Sequence, residues 1–188
     1  MMVRALLLGF LLAACGQAPS TEEAVGAGPR VDSFVLSSPA FHDGGTIPVD
    51  YTTDGRNVSP PLAWSGAPAV TRGFALTCRD LDGRHDDWIH WVAYGIPDTA
   101  GSLPEDAGDW SEKNARRLPG VGYTGMDPTP GKAHRYRFTL YALDTRLAIP
   151  ADIVDVAMLE KAIAGHVLAR AELTGTYARN PHMGGWWK

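Results

Sequence analysis

The sequence has little cysteine and no excess of positive charge. Its 188 residues carry 17 Lys and Arg against 21 Asp and Glu, which gives a formal net charge of −4 at neutral pH. This balance leaves no broad basic surface for a phosphate backbone and argues against nucleic-acid binding, so an anion would have to be bound locally. The two cysteines, Cys15 and Cys78, are too few for a disulfide framework.

The N-terminal apolar stretch is too short to span a bilayer stably. It runs from Ala5 to Ala14, follows a positive charge, and ends in small residues before Cys15. This pattern predicts an export signal over residues 1–15. The segment Leu12-Ala13-Ala14-Cys15 resembles the bacterial lipoprotein box, which implies cleavage before Cys15 and attachment of diacylglycerol to its sulfur. An ordinary secretory signal with an incidental cysteine is the alternative.

Lipidation would anchor the protein in the cell envelope, on the periplasmic or extracytoplasmic side of a membrane. Residues 16–31 are rich in Gly, Ala, Pro, Ser, Thr and Glu, which predicts a flexible tether. We predict one globular domain over residues 32–179, followed by a C-terminal tail at residues 180–188. We expect Trp186 and Trp187 of this tail to pack on the core, with a position on a membrane surface as the alternative.

The composition of the domain predicts a mainly β fold, because the 21 glycines and 14 prolines fall mainly between stretches of alternating apolar and polar residues. A short helix is predicted after Asp152, with its end at Gly165. Residues 97–133 show no clear periodicity, which predicts a long functional loop. The helix has an apolar face of Val156, Leu159 and Ile163. The predicted strands are residues 34–36, 47–51, 62–64, 72–79, 88–96, 134–143 and 167–173.

Three of these strands carry polar residues at one end of an apolar face. They are, in chain order, residues 72–79, 88–96 and 134–143. If the first two pair as antiparallel neighbours, Asp80 lies beside His90, and a third strand parallel to the second adds His134 and Tyr136 to the same rim. A lone histidine is usually structural, but convergent polar groups over an apolar floor predict a binding site. The three predicted faces are Phe74, Leu76, Cys78, Asp80 and Asp82; Trp88, His90, Val92, Tyr94 and Ile96; and His134, Tyr136, Phe138, Leu140 and Ala142.

Three chemistries could use such a cluster. Imidazole, phenol and loop N–H groups could donate to a phosphate or carboxylate, with Asp80 holding a histidine in the donating tautomer. Asp80, His90 and His134 also match the ligand set of some iron and zinc enzymes, although without a tight histidine spacing. A histidine could act as a base in hydrolysis, but no serine lies in a Gly-x-Ser-x-Gly turn. Cys78 is predicted to be a buried hydrophobe, with a catalytic thiol as the alternative.

Several ordered motifs run along the domain. They are Asn57-x-Ser59-Pro60-Pro61-Leu62-x-Trp64, Asp80-x-Asp82, Trp88-x-His90-Trp91-Val92, Ile96-Pro97, Gly122-Tyr123-x-Gly125, His134-Arg135-Tyr136 and Tyr141-Ala142-Leu143-Asp144. Together they resemble the phosphatidylethanolamine-binding protein family, and in particular its bacterial Raf kinase inhibitor-like branch, over residues 33–179. The resemblance implies a β-sandwich of largely antiparallel strands with a few short peripheral helices, and a small pocket for phosphate-type head groups.

The motifs also imply which residues form the pocket. Arg135 falls on the opposite face of its strand and is expected to form a structural ion pair. The chain departs from the family at residues 126–130, where many members have a Gly-Pro-Pro segment. Asp127 in this segment would repel an anion unless the loop turns its carboxylate outward, or else the ligand is not a simple phosphate monoester. The expected lining residues are Asp80, Trp88, His90, His134 and Tyr136, supported by Asp82, Gly125 and Pro128.

The sequence therefore predicts a membrane-tethered envelope protein that binds a small anionic ligand, without catalysis and without a cofactor. Two alternatives stay open. One is a metal-assisted hydrolase that uses Asp80, His90 and His134, and the other is a regulatory protein that inhibits a protease or kinase, as some relatives do. The sequence leaves a homodimer and a protein partner open.

Overall fold

The computed structural model describes residues 33–83, 88–107, 122–147 and 156–180. The predicted signal peptide, the tether, the helix cap and the two tail tryptophans lie outside the described residues. Within these ranges, no helix has the length and apolar character needed to cross a membrane.

Seven β-strands form two sheets in the described part of the chain. They are β1 Val35–Ser37, β2 Leu62–Ser65, β3 Gly73–Asp80, β4 Ile89–Pro97, β5 Ser102–Leu103, β6 Ala133–Leu143 and β7 Val167–Ala178. The smaller sheet has the order β1-β2-β5 and the larger has the order β4-β3-β6-β7. All neighbouring strands are antiparallel, so β4 and β6 run parallel to each other on either side of β3, as predicted.

The main core lies between the two sheets. The Trp64 ring of β2 meets the Phe74 ring of β3 with their centroids 5.3 Å apart. Leu62 from the smaller sheet and Leu140 from the larger belong to the same cluster of buried side chains. Burial of apolar surface, at about 25 cal/mol per Å², is the dominant stabilising contribution in such a core. The predicted mainly β, sandwich-like architecture is confirmed.

A helix covers the other face of the larger sheet. Helix α1 spans Val156–Ile163 and ends, as predicted, before Gly165, which has a φ of 81°. Its predicted apolar face is buried and forms a second cluster with side chains of the sheet. The buried members of this cluster are Ala75, Val92, Leu143, Val156, Leu159 and Ile163.

Two predictions for the smaller elements are wrong. Residues 47–51 form a 3-10 helix at Val49–Tyr51 instead of a strand. Pro48 has no N–H for a strand ladder, and its carbonyl accepts a hydrogen bond from the Tyr51 N–H at 3.0 Å. In the stretch predicted as a loop, β5 pairs with β2. A strand of two residues is too short to show a periodic pattern.

Strand β4 does not keep the simple alternation that the sequence predicted. Its pairing with β3 shifts register twice, once opposite Phe74 to Leu76 and once opposite Cys78 to Arg79. As a result, Val92 and Tyr94 pack in the second cluster and do not share a face with Ile96, which lies in the main core.

Each register shift has a local structural basis. Gly95 lies at the first shift with a φ of 69°, a conformation that suits a bulge. At the second shift, β3 pairs Cys78 with Trp91 and Arg79 with Ile89, so His90 is the extra residue. In a regular strand, neighbouring side chains point to opposite faces, but a bulge changes the direction of a side chain. The His90 ring and the neighbouring Trp91 side chain therefore both lie on the main-core face.

Gly175 of β7 is a position where the core has no room for a side chain. A Cβ there would lie 2.4 Å from Ile47 Cγ1 and 2.9 Å from Phe41 Cε2. We expect Gly175→Ala to lower the free energy of unfolding by about 1–3 kcal/mol, the usual cost of overpacking, measured by urea denaturation. The matched control is Gly101→Ala, where the nearest atom lies 3.9 Å away and the effect should be close to zero. Equal denaturation midpoints for the two variants would contradict this account.

Candidate functional site

Four of the predicted site residues meet at one end of the larger sheet. Asp80 is the last residue of β3 and pairs in register with Tyr136 of β6. His134 lies two residues before Tyr136, and His90 is the second residue of β4. The exposed fraction is 6% for Asp80, 2% for His90, 8% for His134 and 0% for Tyr136, so polar and ionisable groups are concentrated at a buried position.

Asp80 holds His134 in one orientation. Its Oδ2 accepts a hydrogen bond from His134 Nδ1 at 2.7 Å. Because a carboxylate only accepts, the imidazole proton lies on Nδ1, and Nε2 carries a lone pair unless the ring is charged. The other carboxylate oxygen, Oδ1, accepts the backbone N–H of Asp82 at 2.8 Å. Both oxygens of Asp80 are therefore bound within the protein, and Asp80 serves to orient the histidine.

Asp82 and Arg135 support this arrangement. Arg135 donates from Nε to Asp82 Oδ2 at 2.9 Å and from Nη2 to Oδ1 at 3.0 Å, and its backbone N–H donates to Oδ2 at 2.9 Å. The Arg135 hydrogen bonds lower the pKa of Asp82 to about 2. Arg135 forms a structural ion pair, as predicted. This ion pair holds Asp82 in place, and the backbone N–H of Asp82 binds the Asp80 carboxylate.

Backbone carbonyls fix the second histidine. His90 Nδ1 lies 2.9 Å from the carbonyl oxygen of Thr124 and 3.2 Å from that of Gly125. Both oxygens are acceptors, so Nδ1 carries the proton and Nε2 of the neutral ring has a lone pair. Burial lowers the pKa of His90, which keeps the ring uncharged at neutral pH.

The segment that supplies these carbonyls is held close to Asn57. The Gly125 N–H donates to Asn57 Oδ1 at 2.7 Å, and the Thr124 N–H donates to the His90 carbonyl at 2.7 Å. A Cβ at Gly125 would lie 2.6 Å from Asn57 Oδ1, so this close approach requires glycine. In the sequence, Asn57 stands out only as part of a motif, and Thr124 is not a predicted site residue. No sequence signal shows which backbone carbonyl will face a histidine.

The Tyr136 ring pairs with both histidines. Its centroid lies 5.1 Å from that of His90 in an edge-to-face arrangement and 6.4 Å from that of His134 in a stacked one. Its hydroxyl is buried, and no residue in the described ranges provides a hydrogen-bond partner for it. Burial raises the pKa of Tyr136, so the hydroxyl keeps its proton. Ser59 Oγ, Trp64 Nε1 and Thr77 Oγ1 are also buried without a partner among the described residues, but the Tyr136 hydroxyl belongs to the ring that pairs with both histidines. A buried hydroxyl without a partner requires an explanation.

Trp88 is joined to this cluster through its backbone. The Trp88 side chain is 54% exposed, while its backbone carbonyl accepts the N–H of Asp80 at 3.0 Å. The aromatic ring pairs found among the described residues do not include Trp88. Pro128 is buried. Trp88 thus borders the four buried side chains and is not packed among them.

The carboxylate of Asp127 has a cationic partner. Its Oδ1 forms an ion pair with Arg179 Nη2 and accepts the Thr53 hydroxyl at 3.0 Å. The side chain is half exposed. Arg179 is not among the predicted site residues, because 52 positions separate it from Asp127 and no pattern in the chain connects the two.

The alternative chemistries gain no support from this geometry. Among the residues that the structure describes, no group of three or more His, Cys, Asp or Glu side chains is placed to hold a metal ion. Cys78 is fully buried, and burial raises the pKa of its thiol, so it packs as a hydrophobe, as predicted.

The cluster therefore offers one hydroxyl and two imidazole nitrogens. The Tyr136 hydroxyl can donate or accept a hydrogen bond. The Nε2 atoms of His90 and His134 accept when the rings are neutral and donate when they are charged. This set is suited to an oxyanion when an imidazole or the ligand itself carries an additional proton.

Comparisons with known proteins agree with the architecture. The model of a family described as "Phosphatidylethanolamine-binding protein" matches residues 37–178. A UPF0098 protein of Methanothermobacter thermautotrophicus is 43% identical over 150 residues, which cover 77% of this chain and 98% of that protein. LppC, a candidate lipoprotein of Mycobacterium tuberculosis, is 36% identical over 162 residues, which cover 84% of this chain and 79% of its own length.

Two solved structures are similar over the same part of the chain. CT736 of Chlamydia trachomatis, a candidate phosphatidylethanolamine-binding protein homologue, has a TM-score of 0.67 and 33% identity, with coverage of 79% of this chain and 99% of its own. YbcL of Escherichia coli, described as a new member of the mammalian family, has a TM-score of 0.68 and 30% identity, with the same coverage. The chain belongs to the phosphatidylethanolamine-binding protein family.

Proposed function

We propose that the cluster of Asp80, His90, His134 and Tyr136 binds a small anionic ligand, of the phosphate or phospholipid head-group type, without catalysing a reaction. The observation that carries this proposal is the buried Tyr136 hydroxyl, which has no partner among the described residues. An unpaired buried hydroxyl costs roughly 1–3 kcal/mol, and a ligand oxygen would recover this cost.

Each residue has a distinct role in this proposal. Tyr136 donates its hydroxyl proton to a ligand oxygen, and His90 and His134 present Nε2. The Thr124 carbonyl and the Asp80 carboxylate bind the Nδ1 atoms and keep both rings from turning. The exposed indole of Trp88 borders the cluster and is available to cover a bound ligand.

Binding an anion requires protons as well as contacts. Because Nδ1 of each histidine already donates within the protein, Nε2 can donate to a ligand only when the ring is charged. A charged His134 would have the Asp80 carboxylate 2.7 Å away as a counter-ion, whereas burial opposes charge on His90. We therefore expect anion binding to be coupled to proton uptake by the imidazoles of the cluster.

A lipid anchor at Cys15 forms the second part of the proposal. The apolar stretch ends in small residues directly before Cys15, and the relative LppC is named as a candidate lipoprotein. Residues 16–31 would tether the domain to the extracytoplasmic face of a membrane, where its ligands would be those of the cell envelope.

Tyr136→Phe should weaken ligand binding without destabilising the protein. The variant loses a hydroxyl that has no partner in the described structure, so its free energy of unfolding should be unchanged or up to about 2 kcal/mol higher. Its affinity for inorganic phosphate, measured by calorimetry, should fall roughly tenfold or more, because a hydrogen bond to a charged group contributes about 1.5–3 kcal/mol. The matched control is Tyr51→Phe, whose hydroxyl donates to Glu105 at 3.0 Å, and which should keep its phosphate affinity. Unchanged phosphate binding in Tyr136→Phe would refute the assigned role.

Affinity for sulfate should rise as the pH falls from about 8 to about 6, by at most about tenfold per pH unit if one proton is taken up. Sulfate keeps its own charge over this range, so the change reports protonation of the protein. His134→Gln should flatten the profile. The control His166→Gln removes an exposed histidine that makes a similar 2.8 Å contact with Asp144, and it should leave the profile unchanged. A wild-type affinity that does not vary with pH would argue against coupled protonation.

Cys15→Ser should abolish lipidation. When the full-length protein is expressed in a bacterium supplied with labelled palmitate, the wild type should incorporate the label and the variant should not. Cys78→Ser serves as the control and should retain the label, because Cys78 is buried in the domain. Mass spectrometry showing an unmodified mature N-terminus at another residue would contradict the anchor.

A further inference from the structure

We propose that Arg179 is a positioning residue that allows the anion site to function beside the Asp127 carboxylate. The inference rests on the function proposed above and assigns a part in ligand selection to a residue outside the site cluster. Arg179 follows the last residue of β7 and lies at the point where three distant segments of the chain meet.

The Arg179 guanidinium contacts two carboxylates. Its Nε lies 2.9 Å from both oxygens of Asp54, and its Nη2 forms an ion pair with Asp127. Nη2 also donates to the Thr53 hydroxyl at 2.6 Å, and Asp54 accepts a further hydrogen bond from Tyr177 at 2.7 Å. The Arg179 and Asp54 side chains are 21% and 14% exposed, so this pair is better shielded from solvent than an ordinary surface ion pair.

The same contacts join the two segments that Arg179 bridges. The Thr53 N–H and hydroxyl both donate to the carbonyl of Met126, each at 3.2 Å. The same hydroxyl lies 3.0 Å from Asp127 Oδ1, so its single proton is shared between these two acceptors. Met126 directly follows Gly125, whose carbonyl faces His90. Arg179 thus stabilises the end of the segment that orients one of the site histidines.

The charge of Asp127 reaches the site. Burial lowers the pKa of His90 and raises that of Tyr136, and the Asp127 carboxylate adds a smaller electrostatic contribution that raises the pKa of each. Asp127 lies two residues after Gly125, whose carbonyl is 3.2 Å from His90 Nδ1. Asp127 would therefore also repel an anion bound next to these side chains. Arg179 offsets this repulsion, because it lies in direct contact with the carboxylate.

Loss of Arg179 would have two opposing electrostatic effects. An uncompensated Asp127 would favour a protonated His90, but it would also repel the ligand. A proton taken up by His90 offsets only one of the two negative charges of a dianion such as sulfate. The repulsion between Asp127 and the dianion therefore outweighs the gain from protonation. Arg179→Gln should therefore lower the affinity for sulfate by about tenfold, because the Asp127 carboxylate loses the counter-charge with which it is in contact.

A double-mutant cycle separates charge compensation from a purely structural role. Sulfate affinity is measured by calorimetry at about pH 7.5, where His90 is neutral, for the wild type, Arg179→Gln, Asp127→Asn and the double variant. We expect the double variant, which loses one charge of each sign, to regain the wild-type affinity to within about twofold, and Asp127→Asn to bind sulfate more tightly than the wild type. The matched control is Arg146→Gln, which breaks a 3.5 Å ion pair with Asp98 beyond the far end of β4 and should leave the affinity unchanged.

The outcomes distinguish this inference from the proposed function. If the wild type binds sulfate and Arg179→Gln binds it equally well, the proposed function stands and the role of Arg179 is refuted. A double variant that stays as weak as Arg179→Gln also refutes it, because Asp127→Asn removes the charge but cannot rebuild the lost contacts. Failure of the wild type to bind either phosphate or sulfate would refute the proposed function itself.

A ligand-free measurement tests the electrostatic link independently. The imidazole signals of His90 are titrated by NMR in the same four proteins without any anion. Arg179→Gln should raise the pKa of His90, because Asp127 loses its compensating charge, and Asp127→Asn should lower it. A His90 pKa that is identical in the wild type and Arg179→Gln would overturn the proposal, whether or not the wild type binds sulfate.

Discussion

The position of the site depends on the burial of β3 on both of its faces. Phe74, Leu76 and Cys78 face the core between the sheets, while Ala75 packs in the cluster under helix α1. A charge in the middle of such a strand would lose its hydration without gaining a partner, at a cost of several kcal/mol. Ionisable groups are therefore confined to the strand ends, and Asp80 stands where β3 ends.

The parts of the fold that obey a local rule could be predicted from the sequence. The alternation in β6 correctly places Tyr136, Phe138 and Leu140 on the core face, and the apolar spacing of α1 correctly gives its buried side. The meeting of the site residues at one rim also follows, because antiparallel pairing of β3 with both neighbours brings these strand ends together. The bond between His134 and Asp80 is a direct result of this pairing.

The features that the sequence did not reveal depend on contacts between distant segments. Register shifts change which residues of β4 face the core, and a shift is defined by both strands and not by either one alone. The carbonyls that orient His90 belong to a segment that is placed by Asn57, which lies 68 positions earlier. The pairing of Asp127 with Arg179 likewise appears only when β7 has been placed in the sheet.

Cys78 gives the domain a native reporter of its own cooperativity. The thiol is completely buried in an interior strand of the larger sheet, and burial raises its pKa, so the reactive thiolate is strongly disfavoured in the folded protein. A thiol reagent can therefore react only when the core between the two sheets has opened. Its rate of modification at Cys78 would follow the opening of the whole sandwich and not local fraying at an edge.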